Sequence, residues 1–289
     1  MREWDYNDFT IAAYRLTGVD LTAYNERQMK RRIDSFLMRN QCRNYYEYYM
    51  MISSDPEQLR RFTDFLTINV TEFFRNPLQW ETLGTEVLPE LLERPGPMKI
   101  WSSACSTGEE PYSVALLMNE SLHSCAFPFR VMPVLATDID DQAIAKAKQG
   151  DYLPDSLKNL PEGYCDKYFD FQNGRFHIKD RLSSFVRFQK LNLLKDLYPR
   201  ECHLILCRNV MIYFTQEAKD RMYRQFYNAL LPGGVLFLGS TEQILNPERY
   251  GLTLLRPFFY RKETGEGACP AEQLENSHRQ IHKDSTGGI

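Results

Sequence analysis

The chain lacks the marks of several common protein classes. None of its 289 residues belongs to an apolar run of about eighteen or more, the length a membrane-spanning helix needs. Met1-Arg-Glu-Trp-Asp5 has neither the basic start nor the apolar stretch of a signal peptide. A soluble cytoplasmic location without membrane insertion is the expectation. There is little excess charge either: 35 Lys and Arg against 38 Asp and Glu leave a net charge of -3, without the basic surplus of a nucleic-acid binder. The seven cysteines (Cys42, Cys105, Cys125, Cys165, Cys202, Cys207 and Cys269) are odd in number, scattered and free of any C-x-x-C spacing. That excludes a zinc ribbon or a disulfide framework and leads us to expect reduced thiols and no metal site.

Glycine is also scarce where it would matter most. The stretch Trp101-Ser-Ser-Ala-Cys-Ser-Thr-Gly-Glu-Glu-Pro-Tyr-Ser113 follows a strand-like run, Met98–Trp101, and leads into a helical pattern, Pro111–Leu122. A strand, a tight small-residue turn and a helix start bring backbone amides up to a nucleotide-like ligand in α/β proteins. Here a single glycine, Gly108, stands where a dinucleotide fingerprint wants three. Glu109 and Glu110 stand where a pyrophosphate would have to be. The pattern therefore points to a cationic or neutral ligand, and S-adenosylmethionine, with its ammonium and sulfonium, fits it.

The organisation changes once along the chain. Residues 6 to about 68 read as helices: Met29, Ile33, Phe36 and Leu37 recur at helical spacing, and Asp55-Pro56-Glu57 opens a further helix with a cap and a first-turn proline. From about 98 strands alternate with helices. The strand-like runs are Met98–Trp101, Val131–Thr137, Phe185–Leu193, His203–Cys207, Val235–Gly239 and Leu252–Tyr260; helical stretches include Asp141–Lys148 and Gln216–Leu230. This predicts an α/β domain with a mostly parallel sheet. Pro232-Gly233-Gly234 reads as a sharp turn into a late strand, with Leu252–Tyr260 as its antiparallel partner. Asn173-Gly174 between two alternating runs predicts a hairpin within an inserted β-subdomain at about 150–184. The polar stretch 262–289 reads as a disordered tail.

Each candidate residue has a functional and a plainer reading. Asp138, at the end of a strand-like run, suits ribose hydroxyls or a helix N-cap; Asp140 or Asp141 is able to supply that cap instead. Glu109 and Glu110 suit either a helix dipole or the ligand's ammonium. Asn209 and Tyr213, which follow a strand-like run, and Asn192, which closes the run Phe185–Leu193, face the crevice expected at the carboxyl ends of the sheet, or are ordinary loop and core residues. Asn69-Val-Thr71-Glu-Phe-Phe-Arg75 lies at the junction of the helical and α/β parts, where ligands collect, or simply packs there. In Arg27–Arg43 six cations meet one acid, although residues 1–75 as a whole balance at eleven of each sign. A helix presenting Arg27, Lys30, Arg31 and Arg32 suits an acidic partner surface, if it is more than a solvated face. Tyr45-Tyr46-Glu47-Tyr48-Tyr49 reads as helix packing.

Five blocks in the same order then carry a resemblance: N-V-T-E-F-F-R (69–75), W-S-S-A-C-S-T-G-E-E-P-Y-S (101–113), A-T-D-I-D (136–140), L-N-L-L (191–194) and C-R-N-V-M-I-Y-F (207–214). Over roughly residues 5–261 the chain resembles the chemotaxis receptor methyltransferases, the CheR family. The resemblance implies a Rossmann-like class I S-adenosylmethionine-dependent methyltransferase with an N-terminal helical domain (1–75), an α/β domain (76–261) and an inserted small antiparallel β-subdomain. It implies methyl transfer to glutamate side chains on the cytoplasmic helices of methyl-accepting chemoreceptors, with S-adenosylhomocysteine as product. Matched by motif, the cofactor contacts would be Asn69, Thr71, Arg75, Ala104, Glu110, Asp138, Asn192, Leu193, Asn209 and Val210. Arg75 would orient the acceptor carboxylate, Tyr213 would wall the transfer site, and the basic helix would meet the receptor. A monomer suffices.

Some members of that family dock a receptor tail peptide through a glycine-rich loop in the β-subdomain. Gln172-Asn-Gly174-Arg lacks the extra glycines, so action without that tether is expected. Two rivals are weighed against this reading. An N-methyltransferase would carry Asn/Asp-Pro-Pro-aromatic where Asn209 is followed by Val210-Met211. A non-enzymatic scaffold would have no need of Asp138, Asn209 and Arg75 together.

Overall fold

Two kinds of local sequence build two units, seen in a computed structural model that describes residues 4–67, 69–124 and 132–264. The first unit is helical. In α1 (Tyr6–Thr17) a reciprocal Asp5–Asp8 capping box starts the helix and Gly18 at φ +71° ends it. α2 (Glu26–Arg39) starts from Asn25, α3 (Tyr45–Ser54) from Asn44, and α4 (Pro56–Leu66) from Asp55, which accepts the Glu57 and Gln58 amides as expected of Asp55-Pro56-Glu57. Phe9, Met29, Ile33, Leu37, Tyr48, Phe62 and Leu66 form its buried core. Phe36 sits at the margin, stacked on Phe65 at 4.1 Å. The core ends at Leu66: Phe73 and Phe74 already belong to the core of the second unit.

The second unit begins with one helical stretch, α5 (Pro77–Thr82), a π-turn over Leu83–Val87 and α6 (Leu88–Leu92). Strands and helices then alternate: β1 (Ile100–Ser102), α7 (Glu109–Ser124), β2 (Val134–Asp138) and α8 (Asp141–Gln149). A small antiparallel sheet follows, from β3 (Asp151–Tyr152), then, after α9 (Tyr164–Tyr168), β4 (Phe169–Gln172) and β5 (Arg175–Ile178) in the order β3-β5-β4. Asn173 and Gly174, at φ +51° and +75°, make the two-residue turn between β4 and β5. α10 (Asp180–Ser183) returns the chain to β6 (Val186–Lys190), β7 (Cys202–Cys207), α11 (Gln216–Ala229), β8 (Leu230–Leu238), β9 (Leu252–Arg256) and β10 (Phe259–Lys262).

The large sheet has the order β6-β2-β1-β7-β8-β10-β9. β6, β2, β1, β7 and β8 are mutually parallel, whereas β10 runs antiparallel to both β8 and β9. The fold is α/β, Rossmann-like. The chain starts at β1, moves outward to β2 and β6, then returns to lay β7 on the other side of β1. That reversal opens a crevice at the carboxyl ends of β1 and β7, where ligands of open α/β sheets bind. No helix among the described residues is long and apolar enough to cross a membrane.

The structure corrects three sequence expectations. Leu252–Tyr260 is not one strand but the hairpin β9–β10, turning at Phe258 with φ +72°, where no glycine or asparagine announces the turn. Pro232-Gly233-Gly234 does not precede β8 but bulges within it: Cys202 pairs with Leu230 and Leu204 with Val235, so the extra residues are looped out. The tail cannot start at 262, because Lys262 ends β10 and its ammonium is held by the carbonyls of Tyr227 and Leu230, both at 2.8 Å. Residues 265–289, Val131, Cys125 and Cys269 lie outside the described residues.

Gly108 is the glycine on which the first turn depends. It sits at φ +98°, and a Cβ there would stand 2.9 Å from the Ala147 Cβ and 3.0 Å from the Tyr152 hydroxyl. Gly108→Ala is expected to destabilise the protein by about 1–3 kcal/mol, from strain and contact together, measured by chemical denaturation.

Candidate active site

The turns after the parallel strands build one wall of the crevice. After β1, Ser103 donates through its amide to the Leu206 carbonyl and Cys105 to that of Thr137, both within 3 Å. This presses the turn between β2 and β7 and carries Ser106 to φ +47°. The Ser106 amide donates to Asp138 Oδ2 at 2.8 Å, while Asp138 Oδ1 accepts the Asp140 amide at 3.0 Å. Asp138 is therefore held by backbone on both oxygens rather than left free. Asp140 is the N-cap of α8, accepting the amides of Gln142 and Ala143. Burial pushes Asp138 above the usual carboxylate range against the pull of those amides.

The acidic pair opens α7 itself, two residues earlier than the expected start, and the helix separates its members. Glu109 accepts from the Thr107 hydroxyl at 2.7 Å. Glu110 turns into the crevice, accepts from the Ser102 hydroxyl at 2.8 Å and stands 3.8 Å from the guanidinium of Arg208. Burial raises the Glu110 carboxyl to about 7, opposed chiefly by Arg208.

The junction segment forms the facing wall. Phe73 and Phe74 are both buried, anchored through their amides to the Ser156 carbonyl and the Ser113 hydroxyl. With the aromatics turned inward, Arg75 projects at the rim, where its Nη1 donates to the Val70 carbonyl at 2.7 Å. Asn69 bridges the two units: its Nδ2 donates to Asp140 at 2.7 Å and its Oδ1 accepts from Ser106. Thr67 donates to the same Asp140 oxygen at 2.7 Å. Burial works against the Asp140 anion, but these donors prevail and lower its carboxyl below the ordinary value.

The loop after β7 closes the site. Asn209, at φ +60°, is shaped by buried Glu242, which accepts the amides of Asn209 (2.6 Å), Gly239 (2.8 Å) and Ile212 (3.2 Å). Gly239 is needed there, since a Cβ would stand 2.5 Å from Glu242 Oε2. The helical unit docks on the same loop: the Asn25 amide donates to the Tyr213 carbonyl and that of Thr215 to Ala23, both at 2.8 Å. Tyr24 packs on Phe214 at 4.9 Å, and burial, with Asp138 nearby, raises its hydroxyl to about 12.

These walls border an open cavity. Asn69, Thr71, Arg75, Ala104, Glu110, Asp138, Asn192, Leu193, Asn209, Val210 and Tyr213 all line it. Asn192 and Leu193 do so from a loop rather than a strand, because β6 ends at Lys190; the Asn192 side chain accepts the Leu194 amide at 2.9 Å. Arg208, Tyr24 and Glu242 were not among the sequence candidates. Arg208 reads as an ordinary neighbour of Asn209 until its burial is seen, and Glu242 lies thirty-three residues beyond the amide it holds.

The basic helix lies outside the cavity, and its cations differ in freedom. Arg27 and Arg31 are exposed. Lys30 pairs with Asp34 at 3.3 Å, and Arg32 stacks on Phe65 while donating to its carbonyl at 2.6 Å. The expectation of four cations offered to a partner is thus reduced at Lys30 and Arg32, which knit α2 into its own unit.

A switch-point cleft offering buried carboxylates and asparagine amides suits a ligand with an ammonium, ribose hydroxyls and an adenine edge, rather than a pyrophosphate. The site is that of an S-adenosylmethionine-dependent methyltransferase. Residues 69–256 match the model of the CheR methyltransferase SAM binding domain, and residues 4–67 that of the CheR methyltransferase all-alpha domain; the chain belongs to the CheR methyltransferase family. Similar relatives include the chemotaxis protein methyltransferase of Listeria monocytogenes, 41 % identical over 90 % of this chain and 98 % of that one. Those of Borreliella burgdorferi (32 % identical, 86 % and 90 % covered) and Escherichia coli (32 %, 82 % and 83 %) are similar too.

Because the Glu110 carboxyl is raised in the fold, the stability that its neutral form contributes is complete below the ordinary glutamate range and is lost as pH rises through about 7. The ligand-free protein should lose more than about 1 kcal/mol relative to Glu110→Gln between pH 5 and 8. Denaturant titrations at each pH check this, and parallel curves for the two proteins would refute it.

Proposed function

We propose that this protein transfers the methyl group of S-adenosylmethionine to glutamate side chains on the cytoplasmic helices of methyl-accepting chemoreceptors, forming glutamyl methyl esters and S-adenosylhomocysteine. The observation that carries this reading is one cavity with acidic and amide groups on its inner walls and a cation, Arg75, at its rim. Its relatives are chemotaxis protein methyltransferases, which supports the biological setting.

The roles follow from charge and position. Glu110 faces the cofactor's ammonium, Asp138 its ribose hydroxyls, and Asn69, Thr71, Ala104, Asn192, Leu193, Asn209 and Val210 complete the contact surface. When bound, the cofactor supplies an electrophilic methyl on a sulfonium whose departure leaves a neutral thioether. The acceptor glutamate has an ordinary pKa of about 4.3 and is ionised at neutral pH, so this chain need supply no general base. Arg75 orients and partly neutralises the incoming carboxylate. Tyr213 walls the transfer site and keeps the approach in line, with reacting atoms held at roughly 3–3.5 Å. An arginine that bound the ground-state carboxylate too firmly would add nothing to turnover. Arg27 and Arg31, with Lys30 and Arg32 beside them, meet the acidic face of a receptor helix. Asn25 and Tyr213 tie that helix to the site through one backbone bond. A cytoplasmic monomer fulfils all of this.

Chemoreceptor membranes incubated with methyl-labelled cofactor should acquire base-labile label, released as methanol. Base-stable label would point to N-methylation, and cofactor binding without label to a scaffold. Receptors with and without a C-terminal tail peptide should be labelled alike; labelling confined to tailed receptors would end the tether-free reading.

Arg75 and Arg31 should separate chemistry from docking. Arg75→Ala is expected to lower turnover at saturating substrates by about 100-fold or more. Arg31→Glu should instead abolish salt-sensitive methylation while cofactor affinity stays unchanged. Near-normal turnover in the first, or weakened cofactor binding in the second, would contradict the assigned role.

A further inference from the structure

Arg208 is a buried cation in the cavity lining, its side chain only 2 % exposed. Its Nη2 donates to the Arg75 carbonyl (2.7 Å), Gln79 Oε1 (2.8 Å) and Asn76 Oδ1 (3.4 Å). Its Nη1 stands 3.8 Å from Glu110 Oε2. The guanidinium lies over the rings of Phe237 and Trp80, at 4.6 and 5.2 Å from their centroids. Nε has no hydrogen-bond partner among the described residues. Taking a guanidinium out of water is costly, and an apolar side chain of similar volume often stabilises a fold as well or better. Stability alone therefore does not account for an arginine here.

The segment it grips needs gripping. Phe74 and Asn76, at φ +50° and +64°, bracket Arg75 in the left-handed region without being glycine. Such backbone persists only where the surroundings over-determine it. The Arg75 carbonyl accepts from Arg208 and from Trp80 Nε1 (2.9 Å), which fixes the direction in which the Arg75 side chain leaves the loop. On its other side the same guanidinium faces Glu110.

We propose that Arg208 is a positioning residue that couples the two halves of the cleft: its planar fork sets Arg75 on the acceptor side while its charge faces the Glu110 carboxylate on the cofactor side. The inference rests on the methyl-transfer reading for the role of Arg75, and on the cofactor alone for that of Glu110.

The charged and titratable groups around Glu110 come from several elements. Arg208 and Arg75 lower its pKa, Glu242 raises it, and the thiols of Cys105, in the turn after β1, and Cys207, at the end of β7, interact with it. Arg208 is the largest influence opposing burial. Arg208 itself, lowered by burial to about 10, stays charged at neutral pH. With the guanidinium gone, Glu110 holds its proton to higher pH and loses its attraction for an ammonium.

Cofactor affinity measured by calorimetry from pH 5.5 to 9 should weaken on the acid side of about pH 7 in the natural protein. In Arg208→Gln that acid limb should move up by at least one pH unit, a loss of about fivefold or more at pH 7, and it should vanish when Glu110→Gln is added. Arg208→Lys keeps a charge but not a fork. Its limb should stay within half a unit while turnover at saturating substrates falls tenfold or more. A folded Arg208→Gln with the natural limb, a limb that survives Glu110→Gln, or natural turnover in Arg208→Lys would overturn the proposal. If Arg208→Gln does not fold, Arg208→Lys and Glu110→Gln still decide it. The binding titration needs no methyl acceptor. Absence of methyl-ester formation by the natural protein would thus count against the glutamate reading, leaving the limb shift to decide for Arg208.

Discussion

Buried carboxylates at the carboxyl ends of one sheet are the constraint around which this molecule is arranged. Glu110, Asp138, Asp140 and Glu242 are all buried there. Each loses hydration worth several kcal/mol and must recover it from fixed donors. Asp138 takes the Ser106 and Asp140 amides, Glu242 takes those of Asn209, Gly239 and Ile212, and Asp140 takes Thr67, Asn69 and the start of α8. Those donors belong to the loops after the strands. Satisfying the acids and shaping the cleft are therefore the same act.

The consequence reaches beyond the sheet. Asp140 recruits Thr67 and Asn69 from the end of the helical unit, and the loop ordered by Glu242 presents Tyr213 to the Asn25 amide that starts α2. The helical unit is thereby fastened to the cleft on two sides. Glu110 differs from the other acids. Its one hydrogen-bond donor is a hydroxyl, with a guanidinium 3.8 Å away, rather than a set of amides, so it retains capacity for a ligand's positive charge. Of these four acids Glu110 has the fewest hydrogen-bond donors, and it lines the cavity.

Where local chemistry dictated structure, the sequence was readable. Asn173-Gly174 specifies a primed two-residue turn because both positions need positive φ, and Asp55-Pro56 starts a helix because one side chain caps while the other fits the first turn. Where a long-range contact imposed the conformation, reading failed. Phe258 turns the β9–β10 hairpin at φ +72°, with its carbonyl held by the Leu238 amide. Pro232-Gly233-Gly234 was recognisable as a turn but not as a bulge, since its register is set against β7. Lys30 and Arg32 looked like parts of a free basic face, until Asp34 and Phe65 claimed them.

The sequence by itself determined the succession of helical and α/β parts, the strand–turn–helix that meets a ligand, and the identity of the side chains that line it. These rest on periodicity, caps and small-residue turns, which act between near neighbours. Only the tertiary structure decided that Asp138 is held by backbone, and that Arg208 and Glu242 support the walls. Those outcomes depend on the order in which strands lie side by side: reversing direction at β1 brings loops distant in sequence over one crevice, and burial there sets their charges against one another.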